Sequence, residues 1–166
     1  MGSGGDSIAR RAGGSRAARW VGVFLMVCGG VGVVTGLLPF AVSLARLLGH
    51  DFGRSAEDWA AHGVEAMGLS LEWAALSSAN GAFLGGLLVA AGLGWRRGRA
   101  WAPLVTLLYA LLGILVTGTD LAIFALAARP GAARASMLFL DGAAFALAAA
   151  TLAALIVWRC RQAMRR

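Results

Sequence analysis

No lysine occurs in this 166-residue chain; all 15 of its basic residues are arginine. A Schiff-base chemistry with retinal or pyridoxal therefore has no amine to use. Acid is scarcer still, with 8 Asp and Glu together, and charged residues make up 14% of the chain against 59% hydrophobic ones. A water-soluble domain keeps about a quarter of its residues charged, so this chain cannot cover a globular surface facing water. Cysteine is limited to Cys28 and Cys160, which excludes a disulfide framework and a Cys-x-x-Cys redox pair. Both histidines, His50 and His62, fall outside the apolar runs, so no paired intramembrane ligands for haem exist. Gly-x-Ser-x-Gly and His-Glu-x-x-His are also missing. No cofactor and no enzymatic activity are expected.

The mean hydropathy is +0.74 and the residues that are charged cluster between long uncharged runs. A helix needs about 20 apolar residues to cross a hydrocarbon core about 30 Å thick. Four runs qualify, at about residues 20–46, 73–95, 101–128 and 135–158, joined by an outer loop at 49–71. The third contains one charge, Asp120, and the fourth one charge, Asp141. The fold class expected is an all-α membrane protein, a four-transmembrane-helix bundle with a short outer interfacial helix. Residues 1–18 read as a basic cytoplasmic tail, residues 19–159 as the bundle and residues 160–166 as a second basic tail. The first run is longer than the 7–15 residues of a cleavable signal core. Asp6 stands where a myristoylation motif requires Ser or Thr.

Arginine sets the expected orientation, because basic residues accumulate on the cytoplasmic side of short loops. Arg10, Arg11, Arg16 and Arg19 precede the first run, Arg96, Arg97 and Arg99 separate the second from the third, and Arg159, Arg161, Arg165 and Arg166 follow the fourth. Both termini are thus placed in the cytoplasm and the protein in the inner (plasma) membrane. Tryptophan prefers the headgroup level, and Trp20, Trp95, Trp101 and Trp158 each fall at an inner boundary, with Trp59 and Trp73 on the outer side. The sequence pI of about 11.4 does not point to nucleic acid, because the arginines flank apolar spans rather than forming a basic face interleaved with stacking aromatics. The lipid bilayer is the expected partner, together with a homo-oligomer or a membrane-protein partner.

Helices in lipid associate where small residues let backbones approach. Gly22, Gly29 and Gly36 recur every seven residues, Gly32 and Gly36 are four apart, Gly81 and Gly85 repeat that spacing in the second run, and Gly92 lies a heptad beyond Gly85. Gly113 and Thr117 make the same four-residue step in the third run, and the fourth is mostly alanine. These stripes predict a tightly packed bundle. Pro39 is expected to kink the first helix.

Ionisable residues inside a span are functional hypotheses by default. Counting about 1.5 Å per residue from the inner Trp of each span, Asp120 lies ~28 Å up, Asp141 ~26 Å, Thr117 ~24 Å and Asn80 ~22 Å. This layer sits near the outer edge of the core, not at the midplane where transporter sites usually lie. Arg46 and Arg134 lie about a turn or more above it, and a structural polar cluster with these arginines paired to the carboxylates is the leading expectation. Arg134 and Asp141 are seven apart and share a helix face. A proton- or cation-coupled site is the alternative. The Gly-x-Gly-Asp context of an intramembrane aspartyl protease is absent, the residues here being Thr117-Gly118-Thr119-Asp120. In the outer loop Ser55-Ala56-Glu57-Asp58 resembles a capping box and starts the expected interfacial helix. Its Asp58, His62 and Glu65 share one face, a spacing that can hold a metal, but one His and two carboxylates on a solvated helix usually form only a polar face, and no metal is expected. The function that follows is a non-enzymatic structural or assembly component packing through glycine-rich faces. A small proton- or cation-coupled transporter using Asp120 and Asp141 is the alternative.

Overall fold

A computed structural model describes residues 16–49 and 67–164. They form four long helices: α1 (Arg16–Leu47), α2 (Leu71–Arg96), α3 (Ala102–Leu126) and α4 (Ala132–Ala163). No strand occurs among the described residues. Each helix is long and apolar enough to cross a membrane, and together they are consistent with a four-helix bundle. α1 begins inside the stretch read as a tail and runs through Pro39 as one helix, and α4 continues past Trp158 into the basic C-terminal segment. The expected interfacial helix, with Trp59, Asp58, His62 and Glu65, lies outside the described residues.

The helix ends follow local chemistry. The chain turns at Gly68, whose φ of 71° suits a residue without Cβ. Ser70 then caps α2, its hydroxyl accepting from the Trp73 amide at 3.2 Å. The other end of α2 closes in a Schellman motif: the Arg99 amide donates to the Gly94 carbonyl at 2.9 Å and the Gly98 amide to Trp95 at 3.2 Å, with Gly98 at φ 63°. Pro103 sits in the first turn of α3, where its missing N–H costs no helical bond. The connection from α2 to α3 is therefore a tight reversal that carries Arg96, Arg97 and Arg99 at the same end as Arg19, Arg159 and Arg161.

α1 and α2 make the closest pair, and α2 with α3 and α3 with α4 make the others. The α1–α2 seam is backbone against backbone. A Cβ placed on Gly29 would lie 2.6 Å from the Gly85 carbonyl oxygen, one on Gly22 would lie 2.7 Å from that of Gly92, and one on Gly36 would meet the Ala82 amide and, at 2.7 Å, the Ser78 carbonyl. Gly85 and Gly92 are equally closed from their own side, each 2.5 Å from a backbone atom of α1. The contacts advance seven residues up α1 for every seven down α2, so the helices are antiparallel and the heptad row stays on the seam along its length. Gly32 joins the same row at 3.3 Å from the Gly85 Cα. Gly81, read with this set from its four-residue spacing, faces open space instead; the close approach follows the heptad row through Ser78, Gly85 and Gly92, and Gly81 points off it.

One core cluster draws on all four helices, with Leu25 from α1, Leu84, Leu88 and Ala91 from α2, Tyr109 and Ala110 from α3 and Ala148 from α4. Gly113 admits α4 at this level, where an added Cβ would lie 2.9 Å from that of Ala148. A second cluster of Met67, Phe124 and Ala128 closes the end opposite Arg96, Arg97 and Arg99. There the Arg129 amide donates to the Met67 carbonyl at 3.0 Å, tying the chain before α2 to the end of α3.

Candidate functional site

Asp120 is the buried acid among the described residues. It sits on the inward face of α3, one turn beyond Thr117 and one turn before Phe124, and is 8% exposed. Its Oδ2 accepts a hydrogen bond from the Ser77 hydroxyl of α2 at 2.8 Å. Asp141, half-buried on α4, lies within electrostatic reach of Asp120. Three helices thus bring Ser77, Asp120 and Asp141 to one level. Phe124 and Trp73 close this level on the side opposite Arg96, Arg97 and Arg99, their rings edge to face at 5.1 Å.

The arginines do not complete the cluster. Arg134 and Arg46 are expected from depth to pair with the carboxylates, yet among the described residues no ion pair joins either of them to Asp120 or Asp141. Arg134 Nη2 donates instead to the Ala125 carbonyl at 2.7 Å. The physical reason is positional. The last four carbonyls of α3 have no partner further along their helix, and a guanidinium in the first turn of α4 meets one of them across the short connection, where the negative end of the α3 dipole favours it. Arg134 Nε is buried with no hydrogen-bond partner. Arg46 ends α1 in its last turn, on the helix that packs against α2.

Thr117 turns its hydroxyl to its own helix. The Thr117 hydroxyl donates to the Gly113 carbonyl of its own helix at 2.6 Å, which satisfies it without reaching the acids. Asn80 is half-buried one turn along α2 from Ser77. Ser77 itself escapes the sequence reading because hydroxyls are common in apolar helices. The depth count carries the signal, since Ser77 lies ~27 Å from Trp95 along α2, level with Asp120.

The tryptophans divide. Trp20 is 68% and Trp101 45% exposed. Trp95 and Trp158 turn into the bundle, edge to face at 5.5 Å, and the Trp95 indole N–H donates to the Thr106 hydroxyl at 2.9 Å. Trp73 is likewise half-buried against Phe124. No group of three or more metal-ligating side chains occurs among the described residues. A search of protein-family models, of curated proteins and of solved structures finds no match to this chain.

The exposed surfaces differ from helix to helix. The exposed side chains of α1 are large, with Phe24, Val27, Val31, Val34 and Leu38 among them, and those of α3 include Leu104, Leu108, Leu111 and Leu115. α4 is the least covered helix: 6% of its most apolar stretch is buried, against 33% in α2 and α3. Along the middle of its bare face stand Ala143, Ala146, Ala150 and Ala153, spaced three and four apart as on one side of a helix.

Proposed function

We propose that this chain is a multi-pass inner-membrane protein with both termini in the cytoplasm, and that it acts without catalysis, as a structural or assembly component that packs against a further membrane helix from a second copy or another membrane protein. The observation that carries the reading is the contrast between α4 and the other helices. Lipid is accommodated by large aliphatic side chains, whereas helix partners are accommodated by small ones. The glycine row of α1 and α2 is already filled within the chain, whereas the alanine face of α4 is a run of exposed small residues on the least covered helix. The arginine bias of one end supports the orientation. The test is the size of the 17.0 kDa chain extracted from native membranes directly into lipid nanodiscs. A species larger than the monomer, reduced to monomer by Ala146→Phe, is expected. A monomer with nothing associated would refute the reading.

One observation favours a second reading, a small proton- or cation-coupled carrier. Asp120 and Asp141 lie at one level on adjacent helices, and among the described residues no arginine pairs with either; ionisable side chains inside a span mark proton and cation pathways. Flux of protons and alkali cations into liposomes tests it: transport abolished by Asp120→Asn or Asp141→Asn supports the carrier. No flux, or flux indifferent to both substitutions, removes it.

A further inference from the structure

Between α3 and α4, at the arginine-rich end, the helices leave an open groove of about 520 Å³. Its walls are apolar, with Leu104 and Leu107 on α3 facing Leu152 and Leu155 on α4, and its mouth holds Trp158 and Arg159. The packing explains why it is there. α3 and α4 touch at Gly113 and Ala148, but ten residues further along α4 its Trp158 is engaged with Trp95 of α2. That contact holds the end of α4 on α2 and leaves the start of α3 unfilled on its α4 side.

We propose that this groove binds one anionic phospholipid, with an acyl chain lying along Leu104, Leu107, Leu152 and Leu155 and the phosphate meeting Arg159. The inference rests on the membrane reading given above, in which the arginine-rich end lies at the cytoplasmic headgroups. Three features select this occupant. From residue 152 to residue 160 the groove runs about 12 Å, close to the ~15 Å that one leaflet contributes to the hydrocarbon core. That length suits a single chain and is too short to seat a helix about 10 Å across for more than two turns. Arg159 lines the groove, and the charge at this end of the bundle is uniformly positive: Arg19, Arg96, Arg97, Arg99 and Arg161 are exposed here as well, with no acid among the described residues. Basic pockets between membrane helices on the cytoplasmic side take anionic headgroups. The apolar wall and the guanidinium are also in the right order, hydrocarbon inward and charge at the level of Trp158.

Native mass spectrometry of the full chain, delipidated in detergent and offered phosphatidylglycerol or phosphatidylcholine with the same acyl chains, tests the site. One phosphatidylglycerol should be retained about fivefold better than phosphatidylcholine, and Arg159→Gln should remove that preference. Leu155→Trp, which fills the groove, should abolish retention of either lipid, while Leu115→Trp on the outward face of α3 should leave it unchanged. Leu107→Phe repeats the filling from the other wall should Leu155→Trp fail to fold. Equal retention by the filled and unfilled proteins, or a preference that survives Arg159→Gln, would overturn the proposal while the membrane reading stands. Release of the protein from membranes by alkaline carbonate would overturn both.

Discussion

The two ends of the chain solve helix association in different ways. α1 and α2 lie so close that backbone meets backbone, and glycine makes this possible at three levels along the seam, at Gly22 with Gly92, Gly29 with Gly85, and Gly36. α2, α3 and α4 keep more distance and are joined by side chains: an indole on a threonine, a serine on an aspartate, an arginine on a carbonyl, and two aromatic pairs. In lipid the hydrophobic effect does not separate helix from solvent, so close packing and interhelical hydrogen bonds are the available forces. The first half uses the former and the second half the latter. A seam without side chains tolerates no added atom. A contact made of side chains loses only the part removed, and α4, which has the fewest such contacts, keeps a bare face.

The largest effect should come from breaking the seam. Gly85→Leu places a side chain where even a Cβ lies 2.5 Å from the Val33 amide, and the loss of stability should reach about 3 kcal/mol or more. Gly81→Leu, on the same helix but facing open space, should change stability by less than about 0.5 kcal/mol. Thermal unfolding in nanodiscs compares the two, and equal losses would show that the heptad row is not the contact. Next in size is Trp95→Ala, which removes an edge-to-face partner and leaves the Thr106 hydroxyl without its donor; about 3 kcal/mol is expected in the same measurement. Arg134→Ala strips the Ala125 carbonyl of its partner and should cost about 2 kcal/mol, visible also as faster amide exchange in the last turn of α3. The smallest effect is the Ser77 to Asp120 bond. Ser77→Ala and Asp120→Ala, alone and together, should show a coupling of about 1 kcal/mol. Strict additivity would mean that the bond contributes nothing to holding α2 on α3.

The difference between the halves also explains what could be read from the sequence. Four apolar helices follow from the uncharged runs alone, and the seam is legible because glycine at seven-residue intervals has few other uses in such a helix. Gly81 shows the limit of that reading: the four-residue step to Gly85 matches a packing motif, but only the partner helix decides which row is closed. The level of Asp120 and Asp141 is legible from counting along each span. Their surroundings are not, because rotation of one helix about its axis decides whether Arg134 meets a carboxylate or a carbonyl, and the free C-terminal carbonyls of α3 are a competitor that a residue list does not display. Trp95 and Trp158 show the same gap. Their position at a span end matches an interfacial anchor, while their packing against one another follows from the side of each helix that faces the bundle.

The glycine row is closed within the chain, and the proposed partner helix would seat on the alanine face of α4. Cysteine crosslinking in native membranes tests it most directly, with Cys28 and Cys160 first replaced by serine and single cysteines then placed along α4 and α3. Cysteines at Ala143, Ala146 and Ala150 should give crosslinked species heavier than the single chain, and cysteines at Leu111 and Leu115 none. Crosslinks that favour α3, or none at any position, would contradict that seating.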